Sequence, residues 1–232
     1  MRRSTRTKTK PQLFQMQRDF TWVADKLTKR AINSGKKTWH TIEPHVTANF
    51  NCGFHGIDWK QAANVSIVNY TRITFGSTQD LTALVLDGAN AGTTSVLTRF
   101  GGLRHENITA VSSQAGVAAS IATKFPSVNA VQSDLQAFID TTQDAYDIIY
   151  IDLCGTWRKH KDVIFYALRA AKKKCVFAFA VSRRRFKISE EKLKSEFAQH
   201  WEQVWKPFNY AHRCTIVTGG TPSYYVMVYE FY

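Results

Sequence analysis

At one point of the chain a turn of small residues follows an apolar run, and an aspartate separates the two. The run ends at Asp87, and the turn after it consists of Gly88, Ala89, Asn90, Ala91 and Gly92. A buried strand that enters a helix through such a turn exposes backbone N–H groups to a ligand. Small side chains let that ligand approach the backbone closely. The sequence therefore predicts that a nucleotide-type cofactor binds over this turn, although Asp87 could also serve as a helix cap.

Three later apolar runs also end near polar residues. The second run ends at Ser112 and Ser113, the third at Asp134 followed by Leu135, and the fourth at Asp152. The carboxyl ends of parallel strands meet at one edge of a sheet, where ligands bind. Asp152 ends a wholly apolar strand, where an unpaired charge would be costly, so we expect it to face a site. Asp134 also fits an ordinary helix N-cap.

From about residue 80 the chain alternates between apolar segments and helical segments. The apolar segments predict strands at 83–87, 108–112, 128–132, 147–152 and 175–181. The helical segments are at 93–100, 114–124, 134–140, 160–171 and 189–204, and a helix at 58–69 precedes the first strand. Strands that are apolar throughout and alternate with helices indicate a parallel sheet covered on both faces. Two β-rich runs around Gly219 to Pro222 predict a closing antiparallel hairpin, which brings the sheet to seven strands.

The net charge of +13 is concentrated in two segments of the chain. Residues 1–40 sum to +9, residues 158–187 sum to +10, and the remainder sums to −6. Such clustering favours a polyanionic partner, most often nucleic acid, over a basic face that only aids solubility. Lys172 to Lys174 are an exception, because they precede a strand and fit a helix C-terminus, where positive charge complements the dipole.

At 232 residues the sequence accommodates one α/β domain with an extension. We expect a basic N-terminal extension at 1–40, partly flexible and with a helix from Phe14 to Ile32, and a folded domain at 41–232. The extension could instead be an organelle-targeting segment. The four cysteines are scattered without a C-x-x-C pair, which favours reduced thiols in an intracellular protein and no metal site. No apolar run reaches the length of a membrane-spanning helix, so we expect no membrane partner.

The ordered series of strand ends resembles the class I S-adenosylmethionine-dependent methyltransferases, from about Asp80 to the C-terminus. The resemblance implies an α/β fold, a three-layer Rossmann-like sandwich with a seven-stranded, mostly parallel sheet and a C-terminal antiparallel hairpin. In that family an acidic residue and a glycine-rich turn lie under the methionine part of the cofactor, which matches Asp87 and Gly88 to Gly92. The resemblance also implies that Asp134 lies near the adenine amino group and that Asp152 faces the transferred methyl group. Ser112 departs from the family, which usually has an acidic residue there to hold the ribose.

The stretch from Asp152 to Thr156 is similar to a motif of tRNA methyltransferases that act on the guanine exocyclic amine. In that family the aspartate accepts a hydrogen bond or a proton from the nitrogen that is methylated. Trp157 or Phe186 could stack on a base, or could be an ordinary core or surface aromatic residue. Candidates for phosphate contacts at the same edge are Arg158, Lys159, Arg183, Arg184, Arg185 and Lys187. The sequence thus predicts methyl transfer from S-adenosylmethionine to nucleic acid, with RNA (including tRNA) favoured over DNA.

Two other functions remain open, and a third is disfavoured. The turn has only two glycines and the ribose-binding acid is missing, so the chain could be a catalytically degenerate methyltransferase-fold protein that binds nucleic acid or a protein partner. It could also methylate a small molecule or a protein, with basic segments that serve only for targeting. A dinucleotide-binding oxidoreductase is disfavoured because the G-x-G-x-x-G pattern is absent and Ser112 stands where the ribose-binding acid is expected.

Overall fold

The structure, a computed structural model, describes residues 59–153, 156–182, 188–204, 209–217 and 224–232. The predicted N-terminal extension at 1–40, with its helix from Phe14 to Ile32, lies outside the described residues. The predicted substrate contacts Arg183, Arg184, Arg185, Phe186 and Lys187 lie outside them as well. Among the described helices, none is long and apolar enough to cross a membrane.

Helices and strands alternate along the described chain in the predicted order. The helices are α1 (Trp59–Phe75), α2 (Gly92–Arg99), α3 (Val117–Lys124), α4 (Leu135–Thr141), α5 (Trp157–Ala167) and α6 (Glu190–Val204). The strands are β1 (Ala83–Leu86), β2 (Ile108–Ser112), β3 (Asn129–Gln132), β4 (Tyr146–Asp152), β5 (Ala171–Ser182), β6 (Tyr210–Val217) and β7 (Tyr224–Phe231). The side chains of β1, β2 and β4 are buried along almost their whole length, as is typical of central parallel strands between two layers of helices.

The seven strands form one sheet in the order β3-β2-β1-β4-β5-β7-β6. The first five strands along the chain pair in parallel, whereas β7 is antiparallel to both of its neighbours, β5 and β6. The chain moves outward from β1 through β2 to β3 and then returns to β4 on the other side of β1. The strand order therefore reverses between β1 and β4, where open α/β sheets bind their ligands at the carboxyl ends of the strands.

A large aromatic core lies between one face of the sheet and helices α4, α5 and α6. Within it the ring of Trp157 stacks on that of Phe179, with the centroids 5.6 Å apart. Side chains of a strand alternate between the two faces of a sheet. Ile151 points into this core, so its neighbours in β4, Tyr150 and Asp152, point to the opposite face. Helix α1 lies against β5 and β7 without belonging to this core, and it therefore covers that opposite face.

Strand β5 begins at Ala171, earlier than the predicted start at 175. Lys172 and Lys174 belong to this strand, so the prediction that they end the preceding helix is wrong. The Nζ atom of Lys172 lies 2.8 Å from Oδ2 of Asp147, in the neighbouring strand β4. The Nζ atom of Lys174 lies 2.7 Å from the carbonyl oxygen of Thr74, near the end of α1. The strand geometry thus gives each ammonium group a partner, and Lys174 binds a carbonyl at the C-terminus of a different helix.

Candidate functional site

The carboxyl ends of four neighbouring strands place the predicted site residues along one edge of the sheet. Asp134 follows β3, Ser112 ends β2, Asp87 follows β1 and Asp152 ends β4. Asp87 and Asp152 flank the point where the strand order reverses, because β1 and β4 are neighbours there. Neighbouring strands lie about 4.8 Å apart. The structure thus brings these residues together, while their contacts to a ligand stay predictions.

Asp87 organises the turn between β1 and α2. Its carboxylate accepts hydrogen bonds from the backbone N–H groups of Thr94 at 2.8 Å, Thr93 at 3.4 Å and Gly88 at 3.0 Å. It therefore caps the N-terminus of α2, which is one of the two roles that the sequence allowed. Ala91 has a φ of 52°, and no other non-glycine residue of the described chain has a positive φ. Strained backbone of this kind is frequent at ligand sites.

Nothing in the described chain requires Gly88 or Gly92 to be glycine. Neither has a positive φ, in contrast to Gly76, Gly102 and Gly116. A Cβ atom added to either residue would meet no atom within 4 Å. The space in front of the turn is therefore open, and a ligand there would contact the backbone directly. Such open space at the backbone is what the predicted cofactor site requires.

Helix α3 holds the turn from its other side. The Oγ atom of Ser120 and the Nζ atom of Lys124 both donate to the carbonyl oxygen of Ala89, at 3.1 and 2.5 Å. The next residue, Asn90, is exposed. Sequence reasoning missed both contacts, because they join residues 31 and 35 positions apart that no local pattern connects. A turn that is fixed by Asp87 and by α3 is a rigid support for a ligand.

The crevice between β1 and β4 is acidic. Burial raises the pKa of Asp87, and the hydrogen bond from the N–H group of Thr94 opposes this shift. Burial raises the pKa of Tyr150, which is 1% exposed, well above its ordinary value, and the charges of Asp152 and Asp87 raise it further. Within the described residues, no three His, Cys, Asp or Glu side chains are placed to hold a metal ion. Because a carboxylate already caps α2, the crevice suits a cationic ligand better than a phosphate.

The ends of β2 and β3 contain hydroxyl and carboxylate groups at the predicted ribose and adenine positions. Ser112 is half-buried, and its Oγ atom accepts from the N–H group of Gln114 at 3.4 Å, while Ser113 is exposed. Asp134 is exposed and is the N-cap of α4, since its carboxylate accepts a backbone N–H at 2.9 Å. Leu135, the first residue of α4, is buried. Contacts of these residues with a nucleoside remain predictions.

The prediction that Trp157 stacks on a substrate base is wrong. Its side chain is 2% exposed and lies in the aromatic core, against Phe179 and Phe165. A ring that is buried to this extent has no exposed face for a base. The next two residues, Arg158 and Lys159, are exposed in the first turn of α5, close in sequence to Asp152. Of the six predicted phosphate contacts, these two lie within the part of the chain that the structure describes.

Sequence reasoning also missed Asn64 of α1. Helix α1 packs against α2, and the Nδ2 atom of Asn64 donates to the hydroxyl of Thr93 at 3.4 Å. The signal was a polar residue among apolar ones, with Ala63, Val65 and Ile67 all buried around it. Its partner is 29 positions away, so the sequence does not reveal the contact.

Three solved structures illustrate what the fold is similar to. A candidate SAM-dependent methyltransferase from Streptococcus mutans superposes with a TM-score of 0.53 at 13% identity, over 76% of this chain and 50% of that chain. TYW2 from P. horikoshii, solved in complex with MeSAdo, superposes with a TM-score of 0.53 at 12% identity, over 77% of this chain and 64% of that chain. The N-methyltransferase NodS from Bradyrhizobium japonicum WM9 gives a TM-score of 0.51 at 10% identity, over 74% of this chain and 96% of that chain.

These similarities establish the fold. No family model matches the sequence, and no curated protein matches it significantly. The chain spans half of the length of the S. mutans protein and about two thirds of TYW2. At identities of 10–13% a superposition shows shared architecture. The chain thus has the Rossmann-like fold of the class I methyltransferases, with the seven-stranded mixed sheet that the sequence predicts.

Proposed function

We propose that this protein is an S-adenosylmethionine-dependent methyltransferase that acts on nucleic acid, with RNA favoured over DNA. The main observation is the open space in front of Gly88 and Gly92, where a ligand reaches the backbone. The cofactor's sulfonium is a cation, which suits the crevice between Asp87 and Asp152. The comparison with TYW2 supports the choice of cofactor, because that structure contains MeSAdo.

Different residues of the described chain have different roles in the proposed reaction. When bound, the cofactor supplies a methyl group on a positively charged sulfur. The turn at 88–92 holds the methionine part against the backbone, and Asp87 keeps that turn in place by capping α2. Asp152 orients the acceptor group in line with the methyl group and accepts its proton. Most of the rate enhancement would thus come from positioning.

The substrate class is proposed from charge. Arg158 and Lys159 are exposed at the start of α5, just beyond the Asp152 end of β4. Exposed cations at this edge attract a phosphate backbone without reading its bases. RNA is preferred because the stretch from Asp152 to Thr156 is similar to the tRNA methyltransferase motif. An intracellular location belongs to the same proposal and rests on the scattered cysteines.

Two experiments test this proposal. Calorimetric titration with S-adenosylhomocysteine tests the cofactor site, and no binding at millimolar ligand would refute the proposal that the protein is a methyltransferase. Binding of a labelled single-stranded RNA and a DNA duplex over a salt series tests the substrate class. No affinity at low salt would exclude nucleic acid as the substrate and favour a small-molecule or protein acceptor. Transfer of labelled methyl groups to RNA, DNA or protein then identifies the acceptor.

A protein of this fold that binds nucleic acid without catalysis is the second candidate. The observation that favours it is Ser112, because a hydroxyl holds a ribose without the charge-assisted strength of a carboxylate. The variant Ser112→Asp separates the two candidates. In a working cofactor site the new carboxylate should raise the affinity for S-adenosylhomocysteine, whereas in a degenerate protein neither form binds it.

A further inference from the structure

Asn64 is a buried amide with one polar atom that the described chain does not satisfy. The residue is 5% exposed, in the part of α1 that packs against α2. Its Nδ2 atom donates to the hydroxyl of Thr93 at 3.4 Å. Its Oδ1 atom is buried and has no hydrogen-bond partner among the described residues. Buried carbonyl oxygens are rarely left without a donor, so this one needs an explanation.

The position of Asn64 connects it with the candidate cofactor site. Its partner Thr93 is the second residue of α2, and the N–H group of Thr93 donates to Asp87. Asn64 is therefore connected to the Asp87 carboxylate, which fixes the turn, through a single residue, Thr93. The unsatisfied atom is an acceptor, so the missing group is a donor. A donor that also carries positive charge would be stabilised by Asp87.

We propose that Oδ1 of Asn64 accepts a hydrogen bond from the ammonium group of the cofactor's methionine part. This inference rests on the proposed function. The cofactor has two nitrogen groups that can donate, the ammonium and the adenine amine. The adenine is expected near Asp134, beyond β3, which is two strands from β1 and thus about 10 Å away. The ammonium is therefore the donor that belongs at the N-terminus of α2, beside Asn64 and Asp87.

The proposal predicts which ligands the site distinguishes. S-adenosylhomocysteine has the ammonium group, whereas 5′-methylthioadenosine has the same nucleoside and sulfur but no amino acid part. Removal of the Asn64 amide should therefore weaken binding of the first ligand and leave binding of the second unchanged. A purely structural role of Asn64 would also weaken S-adenosylhomocysteine, because the turn holds the methionine part. The deaminated analogue of S-adenosylhomocysteine, which lacks only the ammonium group, separates the two cases: a structural role weakens its binding as well, whereas loss of the ammonium contact leaves its binding unchanged.

The experiment compares the affinities of S-adenosylhomocysteine, its deaminated analogue and 5′-methylthioadenosine for the full chain and for variants at position 64. Asn64→Ala should weaken S-adenosylhomocysteine at least tenfold and change the other two ligands less than twofold. The matched control is Thr71→Val, two turns further along α1, where a buried hydroxyl donates to the carbonyl oxygen of Ile67. This control should leave the ratios of these affinities unchanged.

Other outcomes would overturn the inference. An equal loss for S-adenosylhomocysteine and its deaminated analogue in Asn64→Ala, or no loss for either, would show that Oδ1 does not meet the ammonium group. If Asn64→Ala does not fold, the isosteric Asn64→Asp retains an acceptor at the same place. It should keep the preference for S-adenosylhomocysteine, and loss of that preference refutes the contact. If the unaltered chain binds none of these ligands, the proposed function itself fails, which is a different result from an altered ratio.

Discussion

The substitution Gly92→Ala should stabilise the protein and at the same time weaken cofactor binding. Gly92 is the first residue of α2, it has no positive φ, and an added Cβ meets no atom within 4 Å. Alanine is preferred over glycine in helices by up to about 1 kcal/mol. For a domain of this size, 1 kcal/mol corresponds to about 2–4 °C in Tm, so we expect Tm to rise by up to that amount.

The effect on binding has the opposite sign. The new methyl group occupies the open space in front of the turn and displaces a ligand from the backbone. Loss of one hydrogen bond costs about 0.5–1.5 kcal/mol, and 1.4 kcal/mol is a factor of ten in Kd. We therefore expect affinity for S-adenosylhomocysteine to fall up to about tenfold. Thermal denaturation without ligand and calorimetric titration measure the two effects separately.

The matched control is a glycine that the fold does require. A Cβ atom on Gly101 would lie 2.2 Å from the carbonyl oxygen of Leu97, a contact that the backbone must move to relieve. Gly101→Ala should therefore lower Tm, since overpacking costs about 1–3 kcal/mol. Unchanged affinity in Gly92→Ala would show that the cofactor does not lie over the turn. A lower Tm in that variant would show that the space in front of Gly92 is not open.

Three further predictions follow from the same edge of the sheet. Asp152→Ala should retain affinity for S-adenosylhomocysteine but lower kcat by about 10²–10⁴-fold; full activity would disprove the role of Asp152. Burial raises the pKa of Asp87 in the folded state, so its stabilising contribution is complete below the ordinary carboxyl pKa and is lost as the pH rises through the raised value. The free energy of unfolding, measured by urea denaturation across this pH range, should fall in the unaltered chain and not in Asp87→Asn. The same pH dependence in both proteins would contradict the prediction. Replacing Arg158 and Lys159 together by alanine should reduce the salt slope of RNA binding by about 1.4, or 0.7 for each lost phosphate contact; an unchanged slope would exclude them.

The sequence predicts the fold here because the central strands have a simple composition. β1, β2 and β4 are mostly apolar and buried, and a polar residue marks each carboxyl end: Asp87 directly after β1, Ser112 at the end of β2 and Asp152 at the end of β4. Because parallel strands have their carboxyl ends at the same edge of the sheet, the sequence predicts that Asp87, Ser112 and Asp152 lie at one edge. The early start of β5 was not predictable, because its charged residues pair with Asp147 and Thr74, which are distant in sequence.

The site is predicted less completely than the fold. Local patterns locate the turn at 88–92, but they do not reveal which side chains reach it from other elements. Asn64, Ser120 and Lys124 contact the turn region from α1 and α3 through pairings of 29 to 35 positions. Trp157 shows the converse error, since a residue close to Asp152 in sequence is buried in the core on the other face of the sheet.

The place of β7 in the sheet has a consequence for the order in which the chain can fold. β7 is the last strand of the described chain, yet it lies between β5 and β6, and β6 has no other neighbour among the described strands. β6 is therefore synthesised before β7, the strand that anchors it to the sheet. One edge of β5 therefore stays unpaired until residues 224–231 are present. A chain that stops before them would leave that edge of β5 and an edge of β6 unpaired. Such edges favour aggregation, so we expect loss of β7 to yield insoluble protein.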